Sequence, residues 1–135
     1  MSRSILIIDD EKSIQEVARA ALETLEGWTI TTAGSGREGI DLAAVDPPDT
    51  ILLDVMMPGM DGPRTLQELQ ATAATRSIPV LFLTATVQAA DIRRFCSLGI
   101  KGVIAKPFNP LKLGSEIAGM LGWDHNGGAQ SAQEE

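Results

Sequence analysis

The sequence predicts an α/β fold: a doubly wound, five-stranded parallel sheet with helices on both faces. Two patterns carry that prediction. Short aliphatic runs alternate with stretches of helical period, β then α, five times over, and four of the runs stop abruptly at a polar or charged residue. Strands joined through helices run parallel, because a parallel pair needs a long crossover between its members.

Ser4 to Ile8 is a mainly branched aliphatic run ending at Asp9 and Asp10, as expected of a strand buried on both faces. Ile14, Val17, Ala18, Ala21, Leu22 and Leu25 then recur at helical spacing and predict the first helix. Trp28 to Ala33 alternates its Ile with polar neighbours, which places this strand half-exposed at a sheet edge. Ile40, Ala43 and Ala44 mark the second helix. Ile51 to Leu53, ending in Asp54, is the third strand, and Leu66 and Leu69 mark a third helix starting near Pro63. Val80 to Leu83 ends in Thr84, and Ile92, Phe95 and Cys96 belong to a fourth helix. Val103 to Ala105, a run similar to the first and likewise expected to be buried on both faces, ends in Lys106. Asn109 then caps a fifth helix with Pro110 in its first turn, burying Leu113, Ile117, Met120 and Leu121. Residues 1–121 are thus expected to form one domain. Residues 122–135, rich in Gly, Gln, Ala and Glu, hold too few apolar groups to order themselves and read as a mobile tail.

A chain of 135 residues, 44% of them hydrophobic, suits a single core. Its 18 acidic residues against 11 Lys and Arg give a net charge of −7, which argues against a surface built to neutralise nucleic-acid phosphates. Three of those acids fall in the tail, and the body remains acidic without them. The single cysteine, Cys96, cannot form an intramolecular disulfide and reads as helix packing. No apolar run approaches membrane-spanning length and no secretory leader is recognisable, so the expectation is a cytoplasmic protein with no membrane association.

In such a sheet the residues just after each strand gather along one edge, where ligands bind. The first strand delivers Asp9 and Asp10, the third Asp54, the fourth Thr84 and the fifth Lys106. Carboxylates brought that close repel unless a cation neutralises them. A hard divalent ion such as Mg2+, which is commonly held by one or two carboxylates and a phosphate, is the remedy this set suggests. That chemistry suits phosphoryl transfer, in which a carboxylate can be the nucleophile.

The Asp9-Asp10 pair, the run from Asp54 through Pro58 and Gly59 to Asp61 and Gly62, the Thr84-Ala85 pair and Lys106-Pro107-Phe108 together resemble the response-regulator receiver family of two-component signalling. Four motifs, in order at successive strand ends over about residues 4–121, are far more specific than any one alone. The resemblance implies a flavodoxin-like fold in which Asp54 is the phosphoacceptor, Asp10 a direct magnesium ligand and Asp9 a ligand through water. It further implies that Met56 lends its backbone carbonyl to the metal, Lys106 pairs with the phosphoryl oxygens, and Thr84 bonds the phosphate once Asp54 is modified. A cis Lys106–Pro107 peptide would re-aim Lys106 into the site. The partners implied are a sensor histidine kinase or histidine phosphotransfer protein upstream and a target protein downstream.

Acidic residues at strand ends often merely cap helices, which for Asp9, Asp10 or Asp61 taken singly is the plainer account. Gly34-Ser-Gly-Arg-Glu-Gly39 is a literal dinucleotide fingerprint, but it follows an edge strand rather than the central switch point and reads as a turn into the second helix. An aspartate-nucleophile phosphohydrolase would need a second Asp two residues after the nucleophile. That position is Met56, which has no transferable proton, so turnover of small substrates is not expected. His125, the only histidine, lies in the tail, which excludes a Ser-His-Asp triad in the body.

The position three before Lys106, where the family often carries an aromatic ring that swings inward, is Val103, and the chain has no Tyr. Output through backbone shifts around Thr84 or through dimerisation is expected instead. The conventional surface for that output is the fourth helix, fifth strand and fifth helix. With no effector domain after Leu121, a stand-alone regulator or relay intermediate signalling through protein contact leads. A receiver fragment of a larger regulator, or a phosphorylation-independent binding module, follows.

Overall fold

The computed structural model describes residues 3–86 and 88–123. Five strands, β1 (Ser4–Ile8), β2 (Thr29–Ala33), β3 (Thr50–Asp54), β4 (Val80–Thr84) and β5 (Gly102–Ala105), alternate with five helices, α1 (Lys12–Ala21), α2 (Gly36–Val45), α3 (Gly62–Ala71), α4 (Ala89–Cys96) and α5 (Pro110–Leu121). All strand pairs are parallel, in the order β2-β1-β3-β4-β5. The doubly wound sheet read from the sequence is therefore the observed one.

Alternation along the central strands sorts side chains to two cores. Leu6, Ile8, Ile51, Leu53 and Phe82 pack under α2, α3 and α4 with Ile40, Leu69 and Phe95. Ile5, Ile7, Leu52, Leu81 and Leu83 face α1 and α5 with Ala18, Leu22, Leu113 and Ile117. β3 and β4 are buried along their whole length, which fits the apolar runs Ile51 to Leu53 and Val80 to Leu83 within them. β2 lies at one edge and alternates between exposed and buried positions, as its sequence implied.

Several expectations are corrected. β5 is the other edge, half-buried at Gly102 and Val103 and exposed at Ala105, because nothing pairs beyond it in the sheet of described residues. The first helix continues as a π-helical turn over Leu22–Glu26. The wider turn shifts the buried stripe, so Leu25 is exposed; Val17 is exposed too. Ala44, expected among the markers of α2, is also exposed, as is Cys96, which therefore is not helix packing. Met120 borders solvent at 36% exposure. Trp28 precedes β2 rather than opening it.

The domain also extends past residue 121. Gly122 caps α5 at φ 72°, and Trp123 returns onto the body, its ring 5.4 Å from that of Trp28 and edge-on to it, with the Arg3 guanidinium 4.3 Å from the Trp123 ring centre. The rest of the expected tail, with His125, lies outside the described residues.

Candidate functional site

The carboxyl ends of β1, β3, β4 and β5 meet in one place, and the predicted residues are there. Asp9 is wholly buried and Asp54 is 2% exposed, while Asp10, one residue on, is exposed. Each of the three offers a carboxylate oxygen, and these oxygens all lie within 4.8 Å of one another. Lys106 reaches in from the end of β5, its Nζ 3.2 Å from Asp9 Oδ2 and 3.3 Å from Asp54 Oδ1. The Lys106–Pro107 peptide is cis.

Sequence reasoning missed one member. Glu11 Oε1 lies 3.0 Å from Lys106 Nζ, the shortest of the lysine's three ion pairs, and the Glu11 amide donates to Asp9 Oδ1 at 2.9 Å. Glu11 occupies the position that caps α1 yet makes no side-chain cap, since its carboxylate is turned to the lysine. The available signal was adjacency: a third consecutive acid at a strand end is more than capping requires.

Electrostatics follow from crowding. Burial, then the charge on Asp9, pushes the Asp54 carboxyl up to about 6, against the pull of Lys106 and the Met56 amide. Burial also raises Asp9, opposed by the Glu11 amide and Lys106. Burial alone would lower the Lys106 ammonium, but the Glu11 hydrogen bond and the charges of Asp9 and Asp54 outweigh it and hold the group above its usual value.

Asp9 Oδ2 is buried and, despite its proximity to Lys106, finds no aligned hydrogen-bond partner among the described residues. An all-oxygen set of carboxylates with one acceptor left over fits a hard divalent cation such as Mg2+, and Asp9, Asp10 and Asp54 are the residues that would hold it. Met56 offers its amide to Asp54 and turns its side chain out, 75% exposed.

The loop after β3 explains why this sequence builds the site. Gly59 adopts φ 80° in the turn, and the Gly62 amide returns to donate to the Val55 carbonyl at 2.8 Å. A Cβ on Gly62 would lie 2.7 Å from the Asp54 carbonyl oxygen and 2.7 Å from Val55 Cα, so only glycine allows the loop to close so near the aspartate. Asp61 is a helix cap, its Oδ1 accepting from the Arg64 amide at 2.9 Å, and does not join the cluster.

Thr84 is 2% exposed at the end of β4, and its Oγ1 accepts from the Thr86 amide at 3.1 Å. Val103 packs against the core in register with Phe82.

The glycine-rich segment is accounted for structurally. Ser35 Oγ accepts from the Glu38 amide while Glu38 Oε1 accepts from the Gly34 amide, a reciprocal cap for α2. A side chain at Gly39 would collide with Ile8, so this glycine lets α2 pack close on β1.

Comparison with known proteins agrees with this geometry. The family described as response regulator receiver domain matches residues 5–118. Among curated relatives, a probable transcriptional regulator ycf27 of Guillardia theta is 34% identical over 87% of this chain and 44% of its own length. The alkaline phosphatase synthesis transcriptional regulatory protein PhoP of Bacillus subtilis is 33% identical over 90% of this chain and 49% of its own. The chain thus spans about half the length of these relatives. Among solved structures, the chemotaxis protein CheY4 of Vibrio cholerae is 28% identical with a TM-score of 0.82, covering 89% of this chain and 99% of that one. The N-terminal domain of a response regulator receiver protein from Methanoculleus marisnigri is 36% identical with a TM-score of 0.72, covering 90% and 98%.

Proposed function

Because this chain belongs to the response-regulator receiver family, we propose that it is a phosphorylation-driven signalling switch whose acceptor is Asp54. The observation that carries this reading is the convergence of Asp9, Asp10, Asp54 and Lys106 at one sheet edge, with Asp54 buried between a carboxylate and an ammonium.

The donor is a phosphohistidine of a sensor kinase or histidine phosphotransfer protein. An Asp54 carboxylate oxygen attacks the phosphorus in line, an O–P bond forms as the donor's N–P bond breaks, and the histidine leaves with the electron pair and takes up a proton. Lys106 pairs with the transferred oxygens, and Asp9, Asp10, Asp54 and the Met56 carbonyl would hold the metal. A bound Mg2+ supplies positive charge that offsets the crowding of carboxylates and phosphoryl oxygens. Thr84, buried on the neighbouring strand end, turns its hydroxyl from the Thr86 amide to the phosphoryl group. The residues support no turnover of small phosphate esters, since Met56 stands where a general acid would be needed.

The output is a protein–protein contact in the cytoplasm rather than nucleic-acid or membrane binding. The net charge of −7 supports the first exclusion. Among the described residues no helix is long and apolar enough to cross a membrane. A second reading, a receiver portion of a larger regulator, is favoured by the relatives being about twice this chain's length.

The test is transfer itself. Autophosphorylated histidine kinase cores and histidine phosphotransfer domains, incubated with the chain and Mg2+, are expected to pass label to the parent and none to Asp54→Asn. Label on neither chain from any donor, with both folded, would contradict the proposal.

A further inference from the structure

Asp10 is the member of the carboxylate cluster with least to hold it. Asp54 is held by Lys106 and the Met56 amide, and Asp9 by Lys106 and the Glu11 amide. The Asp10 carboxylate is exposed and has no hydrogen bond or ion pair among the described residues. Its place beside the other two carboxylates therefore depends on the backbone that carries it.

That backbone is fixed from α1. Gln15, on the buried face of the helix and 7% exposed, donates from Nε2 to the Asp9 carbonyl oxygen at 2.7 Å. This oxygen belongs to the planar peptide that joins Asp9 to Asp10, so the bond sets the tilt of the plane from which the Asp10 side chain departs. The same nitrogen lies 3.4 Å from the Ala33 carbonyl oxygen, which also accepts from the Asp9 amide at 3.0 Å. Both neighbours are acceptors, so the nitrogen of the Gln15 amide group, not its oxygen, faces them. The backbone amide of Gln15 in turn donates to the Glu11 carbonyl at 3.1 Å. Asp9 and Glu11 are thus both tethered to one residue of α1, and Asp10 lies between them.

A buried carbonyl needs a donor, and supplying one would by itself explain a loss of stability on removing Gln15. The choice of oxygen argues for more. Gln15 holds the one peptide that links two of the three carboxylates, and the side chain beyond it has no other support.

We propose that Gln15 is a positioning residue for the divalent-cation site: by fixing the Asp9–Asp10 peptide it keeps the Asp10 carboxylate aligned with Asp9 and Asp54, and so sets the affinity for Mg2+. The inference rests on the reading that these three carboxylates hold that ion. Groups one step behind the ligands of a metal orient them, and losing such a group typically costs about ten- to a hundredfold in affinity.

The test is a Mg2+ titration of the isotope-labelled full chain, followed through its amide NMR shifts, for the parent and three variants. Gln15→Met keeps the length of the side chain and removes the donor. Gln15→Glu also keeps the shape, and as a carboxylate it cannot donate, although its charge alone would attract the cation. Thr75→Val deletes a buried hydroxyl that donates to the Leu69 carbonyl at 2.7 Å and belongs to no part of the cluster, so it reports what losing such a bond does by itself. Mg2+ is expected to bind about tenfold more weakly to Gln15→Met, more weakly than to the parent in Gln15→Glu, and unchanged in Thr75→Val. Dispersion of the same spectra shows that each variant is folded. Parent-like affinity in Gln15→Met, tighter binding in Gln15→Glu, or an equal loss in Thr75→Val overturns the positioning role. A parent whose spectrum does not respond to Mg2+ would instead sink the cation site itself, and the role of Gln15 with it.

Discussion

Lys106 Nζ lies 3.3 Å from Asp54 Oδ1 although β4 stands between their strands. The same nitrogen also touches Asp9 and Glu11, so one ammonium serves three carboxylates and satisfies none of them fully. The cluster is held by the fold against its own repulsion, which is the condition a functional site of this kind requires.

The first prediction concerns that repulsion. Asp54 is raised from an ordinary 3.8 to about 6, so the folded chain binds its proton more tightly than the unfolded chain does. Below the ordinary value both states are protonated and nothing is lost. Stability falls as pH rises from about 4 to about 6, and the loss persists above that at about 3 kcal/mol. Lys106, raised by its partners, works the other way, and its contribution holds until the pH passes the ordinary lysine range. Asp54→Asn removes the repelled charge and should stabilise the metal-free chain at pH 7.5 by about 1–3 kcal/mol. Denaturant titration in EDTA checks it. Adding Mg2+ should raise the parent's midpoint more at pH 7.5 than at pH 5.

Glu11 competes with a transferred phosphoryl group for Lys106. Exposed ion pairs contribute about 0.2–1 kcal/mol, so Glu11→Gln is expected to speed phosphoryl uptake by up to about fivefold. Rates from acetyl phosphate measure it, and a slower variant would make Glu11 a productive part of the site.

Gly62→Ala sets a Cβ against the backbone of Asp54 and Val55, where there is no flexible atom to yield. A stability loss of about 2–3 kcal/mol in urea is expected, with slower phosphoryl uptake from the displaced aspartate.

Trp123→Ala removes an edge-on partner of Trp28 and the ring beneath Arg3. About 1–3 kcal/mol should be lost in chemical denaturation, with no change in the rate of phosphoryl uptake, since this contact involves none of the site residues.

The sheet and the order of its site residues were legible because both depend on local pattern: apolar runs in β1, β3 and β4, and the residue that ends each run. What escaped depends on three-dimensional neighbours. Val17 and Leu25 have apolar side chains at helical spacing, yet the π-helical turn after Ala21 and the limits of the covered face leave them exposed. Val103 to Ala105 reads like a central strand, and only the sheet order makes it an edge. Trp123 looked like part of a polar tail because its partners, Trp28 and Arg3, are about a hundred residues away in sequence. Glu11 is inconspicuous in the sequence for a similar reason, its partner Lys106 being 95 positions distant.

The most direct test of the central claim is intact mass after incubation with Mg2+ and acetyl phosphate, comparing the parent with Asp54→Asn. One phosphoryl adduct on the parent and none on the variant is the predicted result. If neither gains mass while both are folded and bind magnesium, Asp54 is not a competent acceptor and the account of a phosphorylation switch is contradicted.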